Sequence, residues 1–460
     1  MASTLAMAPR LARMVQVRQS RASHSLWVLK LFLLGLPIWW VLGASFMMPM
    51  FVAAAMFMLW PAPQLRFTLS DMLLASIIAV LVGSGYINGF LVAGQSLRFM
   101  AALYNIAIWV SGLIVAQQVR TLLADSDAAG REINQAAFWA FIVMVTLSWA
   151  SFFIAYVRRD FDQQILSLFG FLAGDQIPES AALIRQSTTV VFTKPDWGLP
   201  GVPMPRIGIY GPYPNATAAA TAVLGTLALF HLQDLKRHGK FWRAVIGFII
   251  ICTLTITLSR SILGGWLAGL VAAHLFFGSM WTRLGSGVMI VVAVVVLGFI
   301  STADVGGYRQ YSTESRFDNY YRAIDETMSS NPAFGLGMKP REEISHIAVG
   351  SHSTFVSVFT KGGLLGLVLV VIYLVVLPGF RWLRLLMASG AMNETARAQL
   401  RMLLTLQMTV LAWLAFEDLD APATAAILIF IFFAVFESVY GKLDVRGPAS
   451  SNWSFRLKRQ

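Results

Sequence analysis

The polar stretch from Arg316 to Gly366 holds Arg316, Arg322, Asn331-Pro332, Gly335-Leu336-Gly337, Lys339, Arg341 and the run Gly350-Ser351-His352-Ser353-Thr354-Phe355. Arginine grips anions through a planar fork and lysine as a point charge. Histidine titrates near neutrality, so it can accept a proton at physiological pH. An imidazole beside an arginine cluster suits attack by a hydroxyl on a centre that bears a phosphate leaving group. A lone histidine is more often structural than catalytic. The expected place of His352 at a helix start favours catalysis, because the positive end of the helix keeps the ring neutral. Glu417, Asp418 and Asp420 form the one tight acidic cluster on the same side. They could pair with the arginines, or Glu417 or Asp418 could itself be the base.

Composition defines what must position these residues. Of 460 residues, 57% are hydrophobic and 13% charged, against about a quarter charged in soluble domains. Apolar runs long enough to cross roughly 30 Å of hydrocarbon recur along the chain. The fold class is therefore an all-α polytopic membrane protein with about 12 transmembrane helices. They are expected near 27–43, 45–60, 72–90, 99–118, 136–157, 213–232, 243–259, 261–278, 285–301, 363–380, 402–416 and 422–440. Cys252 is the single cysteine, which leaves neither a disulfide framework nor a thiolate metal site. The net charge of +12 is spread over loop ends, as membrane topology requires, so it does not argue for nucleic acid. Residues 1–25 are polar and basic and show no cleavable signal.

An even number of spans puts both termini on one side, and the positive-inside rule makes that side cytoplasmic. Twenty-two of the 35 basic residues then fall inside, with Lys236 to Arg243 and Arg381 to Arg401 the densest short connections. The expected organisation is a cytoplasmic tail at 1–26, helices 1–5 within 27–157 and a first external loop at 158–212. Helices 6–9 follow within 213–301, then a second external loop at 302–362, helices 10–12 within 363–440 and a tail at 441–460. Eleven of the thirteen outside cations belong to the two long loops or their ends; the others are Arg98 and Arg260. They form either solvated loop charge or an electropositive basin for an anion.

Helix polarity favours the basin. Even-numbered spans begin at the external face and aim their positive dipole ends there. Tyr210-Gly211-Pro212-Tyr213-Pro214-Asn215 opens the sixth span with Asn215 as an expected cap, against which a substrate-binding role must be weighed. Ser259-Arg260-Ser261 opens the eighth, where Arg260 is either a site residue or an interfacial anchor. His352-Ser353-Thr354 opens a short helix before the tenth. Within the second loop, Ser315-Arg316-Phe317-Asp318 resembles a capping box, which predicts a surface helix over 316–328. Its stripe of Phe317, Tyr320, Tyr321, Ile324 and Met328 would lie on the membrane face or pack under the loop. Asn331-Pro332 ends that helix, and Gly335 and Gly337 read as a flexible connector.

The order of these motifs resembles the O-antigen ligase and polysaccharide polymerase superfamily. It runs Ser315-Arg316-x-x-x-Tyr320, Asn331-Pro332-x-x-Gly335-x-Gly337, Gly350 to Phe355, then Gly362-Gly363-x-x-Gly366. Thr257 to Ser261 is similar to that family's Ser-Arg helix start, and Tyr210 to Asn215 to its turn-and-Asn opening. The resemblance covers 205–366; earlier residues agree in hydropathy. It implies a GT-C-like glycosyltransferase of the bacterial inner membrane, metal-independent and without cofactor, acting at the periplasmic face. The implied donor is an undecaprenyl-diphosphate-linked oligosaccharide. The implied partners are an acceptor glycan, lipid-linked or on lipid A core, the bilayer, a flippase and a chain-length regulator. By position, His352 would deprotonate the acceptor hydroxyl, and Arg260 and Arg316 would hold the diphosphate. Arg206, Tyr210, Asn215, Arg322 and Ser353 would contribute to substrate binding. Many ligases follow this histidine with asparagine. Ser353, and Lys361-Gly362-Gly363 beyond it, read closer to the polymerases. The alternatives are a ligase that moves glycan to lipid A core or protein, and a transporter. The lack of an internal repeat and the scarcity of mid-span charges argue against transport.

Overall fold

The computed structural model of the protein describes residues 23–59, 67–92, 96–177, 185–199, 202–211, 213–233, 239–290, 310–340, 352–420 and 423–446. Both predicted tails fall largely outside them, as do Arg309, Arg341, His346, Gly350 and Ser351. The chain opens with α1 (Ser23–Leu34) and α2 (Leu36–Leu42), bent by 60°. Gly35 sits at the break and Pro37, without an amide hydrogen, lies in the first turn of α2. Next comes α3 (Met48–Met58), then α4 (Leu69–Ser84), which Thr68 and Asp71 start with a reciprocal capping box. A π-helical stretch, Gly85–Val92, continues α4. Helices α5 (Ser96–Asp125) and α6 (Asp127–Arg158) follow.

The first loop contains α7 (Leu168–Ala173) and two small antiparallel ladders that hydropathy does not reveal. β1 (Gln164–Leu166) pairs with β2 (Thr189–Val191), and β3 (Thr193–Leu199) with β4 (Val202–Ile207). The bundle resumes with α8 (Pro214–Gln233), α9 (Gly239–Ile256), α10 (Arg260–Phe277) and α11 (280–290). After α12 (Gln310–Ser330) come α13 (Thr354–Val371), α14 (Leu377–Ala388), α15 (Glu394–Phe416) and α16 (Ala423–Arg446).

Among the described residues nine helices are long and apolar enough to cross a membrane, or ten if α1 and α2 make one span. The protein is an all-α polytopic membrane protein. Among the described residues these account for nine or ten of the twelve expected spans. At 1.5 Å per residue α3 extends about 16 Å, too short for a bilayer alone, and the expected span at 285–301 runs beyond the described residues.

Small residues set the tightest contacts. Gly265 and Gly269 of α10 face α15, where an added Cβ would meet Thr409 Cα at 3.0 Å and the Thr405 carbonyl at 2.6 Å. Almost all of α8 is buried, and its alanine-rich first half lets neighbours approach closely. Two contacts fix which helix ends share a face. Arg401, near the start of α15, donates to the Phe277 carbonyl at the end of α10 (2.7 Å), and Gln233, ending α8, donates to Thr395 (3.2 Å). The starts of α8 and α10 therefore lie at the other face, with the end of α15.

The most telling feature joins two motifs that are separate in sequence. Backbone at Gly363 (φ 63°, ψ −162°) breaks α13 and leaves helix groups without intrahelical partners. Residues 332–337 supply them. Leu336 and Gly337 N–H groups donate to the Thr360 and Lys361 carbonyls (2.7 and 3.1 Å), and those of Leu364 and Leu365 donate to Pro332 and Ala333 (2.8 and 3.2 Å). Gly335 and Gly337 both take left-handed backbone to fit. A Cβ on Gly335 would stand 2.5 Å from Gly363 N, and one on Gly337 2.4 Å from the Ser84 carbonyl. The predicted flexible connector is a locked one.

Candidate active site

The site is built where helix starts converge. Arg206 on β4 donates through Nε to the Thr257 carbonyl and through Nη2 to Asn215 Oδ1, both at 3.2 Å. Lys194 stands across the β3–β4 ladder from Arg206, a like-charge pairing that favours neighbouring anions. Asn215, in the first turn of α8, donates its amide to Glu417, and Trp413 donates to the Asn215 carbonyl at 3.1 Å. Asn215 is therefore not the expected helix cap: its side chain bridges Arg206 to a buried carboxylate. Arg260 opens α10 three residues beyond Thr257 and is exposed.

Glu417 is the hub. Arg316 Nη2 approaches it at 3.7 Å, and the Thr354 hydroxyl donates to its backbone carbonyl at 2.7 Å. Burial pushes the Glu417 carboxyl above its usual range, while Arg316, Asn215, Arg206 and Tyr213 pull the other way. Burial and the neighbouring Glu417 raise the Tyr213 phenol, which hydrogen-bonds that carboxylate. Two further ion pairs line the same segment: Lys339 with Asp418, and Lys361 with Asp420. Trp109 Nε1 also donates to Asp420 at 3.2 Å. Among the described residues no three His, Cys, Asp or Glu stand together as a metal site.

His352 lies immediately outside α13 in left-handed backbone (φ 71°). Tyr320 on α12 donates its phenol to the His352 carbonyl and steadies this conformation. Burial, then Arg316, then Lys339 depress the imidazole to about 4, so the ring is neutral at pH 7. Ser353, expected to bind substrate, is buried and caps α13 by accepting from the Val356 N–H at 3.4 Å.

Other expectations change with α12. The helix begins at Gln310, so Ser315 is not its cap and Arg316 does not oppose the dipole in the first turn. Arg316, Tyr320, Ala323 and Thr327 share the inward face, with Ala323 and Thr327 fully buried. Phe317, Tyr321, Ile324 and Met328 are exposed and do not pack under the loop. Arg322 lies about 120° round the helix from Arg316 and is exposed, away from the cluster. Tyr210 is buried against Trp40 with φ 61°, and its hydroxyl has no hydrogen-bond partner among the described residues. It shapes the turn into α8 from beneath.

A family model described as O-antigen ligase matches residues 244–371. Over that stretch the chain is similar to the O-antigen ligase family. The matched stretch contains Arg260, Arg316, Lys339, His352 and both halves of the glycine interlock. No curated protein sequence matches the chain. The O-antigen ligase match stops short of Arg206, Asn215 and the Glu417–Asp420 segment, which the fold nevertheless folds into the same cluster. Lys339, Lys361 and Trp109 were not among the residues expected to act. Their only signal in the sequence was charge close to glycine motifs and, for Trp109, none.

Proposed function

We propose that the protein is an inner-membrane glycosyltransferase that polymerises undecaprenyl-diphosphate-linked oligosaccharide units into O-antigen or exopolysaccharide at the periplasmic face. The family match supports ligase- or polymerase-type activity. The observation that carries the finer reading is the convergence of Arg316, Arg206 and the starts of α8 and α13 on Glu417, beside a neutral His352. Helix starts and arginines together suit a diphosphate.

The acceptor hydroxyl transfers its proton to a ring nitrogen of His352. Its oxygen forms a bond to the anomeric carbon, and the bond from that carbon to the diphosphate oxygen breaks. The electron pair leaves on the lipid diphosphate, where Arg316 and Arg260 stabilise it. Stabilisation of this kind needs neither metal nor cofactor. Glu417 serves as organiser and His352 as base, because the Glu417 carboxylate already accepts from Asn215 and Tyr213 and faces Arg316. Both chain termini are cytoplasmic in this reading.

The description of the matched family favours one second reading, transfer of finished glycan to lipid A core or to protein. One experiment separates them: purified protein with a polyprenyl-diphosphate oligosaccharide, no metal and no other acceptor. A ladder of multiples on a gel is the expected result. Product only after addition of lipid A core or a protein acceptor establishes a ligase. Inertness with every acceptor returns a transporter to the front.

A further inference from the structure

Lys339 belongs to no motif, yet three elements fix its ammonium beside His352. The loop that carries it is locked two residues earlier, where Gly337 packs over Ser84 and Gly85. Its ammonium donates to Asp418. Asp418 is in turn bracketed by Thr354, two residues from His352. The Thr354 hydroxyl donates to the Glu417 carbonyl at 2.7 Å and accepts from the Leu419 N–H at 3.0 Å.

The charged groups around the imidazole come from every neighbouring element. Helix α12 brings Arg316 and Tyr320, the following loop brings Lys339, and the segment after α15 brings Glu417 and Asp418. Asp420 and Lys361 stand behind Lys339. Burial and Lys361 pull the Lys339 ammonium down to about 7, while Asp420 acts in the opposite direction. Contact with Asp418 favours the charged form.

Beyond burial, the two cations Arg316 and Lys339 penalise protonation of the ring that has to take the acceptor proton. A diphosphate between them would cancel that penalty. We propose that Lys339, held by Asp418, is a third cation of the diphosphate site and couples arrival of the donor to the basicity of His352. This inference rests on the glycosyltransferase reading above. Lys339 thus both binds the donor and sets the basicity of His352, and acceptor attack becomes possible only after the donor is in place.

The test is a histidine-labelled NMR titration of the full chain in nanodiscs, with the His352 signal assigned through His352→Gln. Undecaprenyl diphosphate is the probe. In the wild type it should raise the midpoint of His352 by about 1 to 3 pH units. Lys339→Gln keeps a donor for Asp418 but loses the charge. It should raise the midpoint without probe and shrink the response to it, and Lys339→Arg should preserve both. Lys339→Met with Asp418→Asn removes the pair together and repeats the reading if the single variant fails to fold. Wild-type titrations in the neutral variants overturn the inference. Should His352→Ala retain transfer, the glycosyltransferase site assignment falls instead, whatever Lys339 does.

Discussion

Two clusters of buried charge sit at opposite ends of the bundle and differ in kind. At the end away from the site, Arg120 pairs with both Asp71 and Glu437, while Arg381 pairs with Glu437 at 2.7 Å and donates to Ser70 at 2.9 Å. Two cations meet two carboxylates, all on helices, and the network is closed. Around His352, the cations Arg206, Arg316, Lys339 and Lys361 face Glu417, Asp418 and Asp420, with Arg260 exposed alongside. This cluster carries surplus positive charge and draws on loops, a strand and helix starts as well as the bodies of α12 and α13. Its segments include Tyr210, Leu258 and His352, three of the four described non-glycine residues with left-handed backbone. Balanced charge on regular helices staples a bundle; surplus charge on strained backbone marks a place kept ready for an anion.

That contrast breaks if variants at the two ends behave alike. The largest effect is expected from His352→Ala: loss of a general base should lower glycan transfer about 10²–10⁴-fold, with thermal stability unchanged in detergent. Arg316→Ala should cost about 10²–10³-fold in turnover. At the opposite end, Arg120→Ala strands Asp71 and part of Glu437. It should destabilise the protein by about 3–5 kcal/mol, read as lost abundance and a lower Tm, while each folded molecule keeps its activity. Gly363→Ala should cost about 1–3 kcal/mol from left-handed backbone alone, and more from the approach to Ala333 at 2.4 Å. Arg322→Ala should change stability by less than about 0.5 kcal/mol and transfer less than Arg316→Ala does. An equal loss from both arginines would remove the distinction drawn on α12.

The pH dependence sharpens the same contrast. His352 is depressed, so in the free protein it stays neutral down to about 4. Transfer measured as kcat/KM should therefore hold through the ordinary imidazole range and fall only at more acid pH. A limb centred at the usual imidazole value would show that neither burial nor the cations Arg316 and Lys339 act on the ring.

Hydropathy made the bilayer helices and the polar excursion legible, because both depend on runs of residue type. The arginine and histidine candidates were legible for the same reason, and His352, Arg316 and Arg206 do meet. What composition could not convey was which side chain answers which. Asn215 looks like a cap in a window of six residues, and only the segment after α15, two hundred positions away, supplies the carboxylate that draws it elsewhere. Arg316 looked like a first-turn residue because Ser315 mimics a cap, although α12 begins five residues earlier. The two glycine motifs were both visible, yet their union is a set of backbone contacts across some thirty positions. In sequence the acidic trio fits either base or counter-ion, and the fold engages all three residues with cations.

The union of those motifs also bears on how the chain is made. Residues 332–337 leave the ribosome before 360–365, and until they dock, two carbonyls and two amides at the break in α13 have no partner. Any of these groups left in hydrocarbon without a partner would cost several kcal/mol. Docking of the loop and placement of the second part of α13 are thus tied into one step of assembly, because each supplies the other's backbone partners.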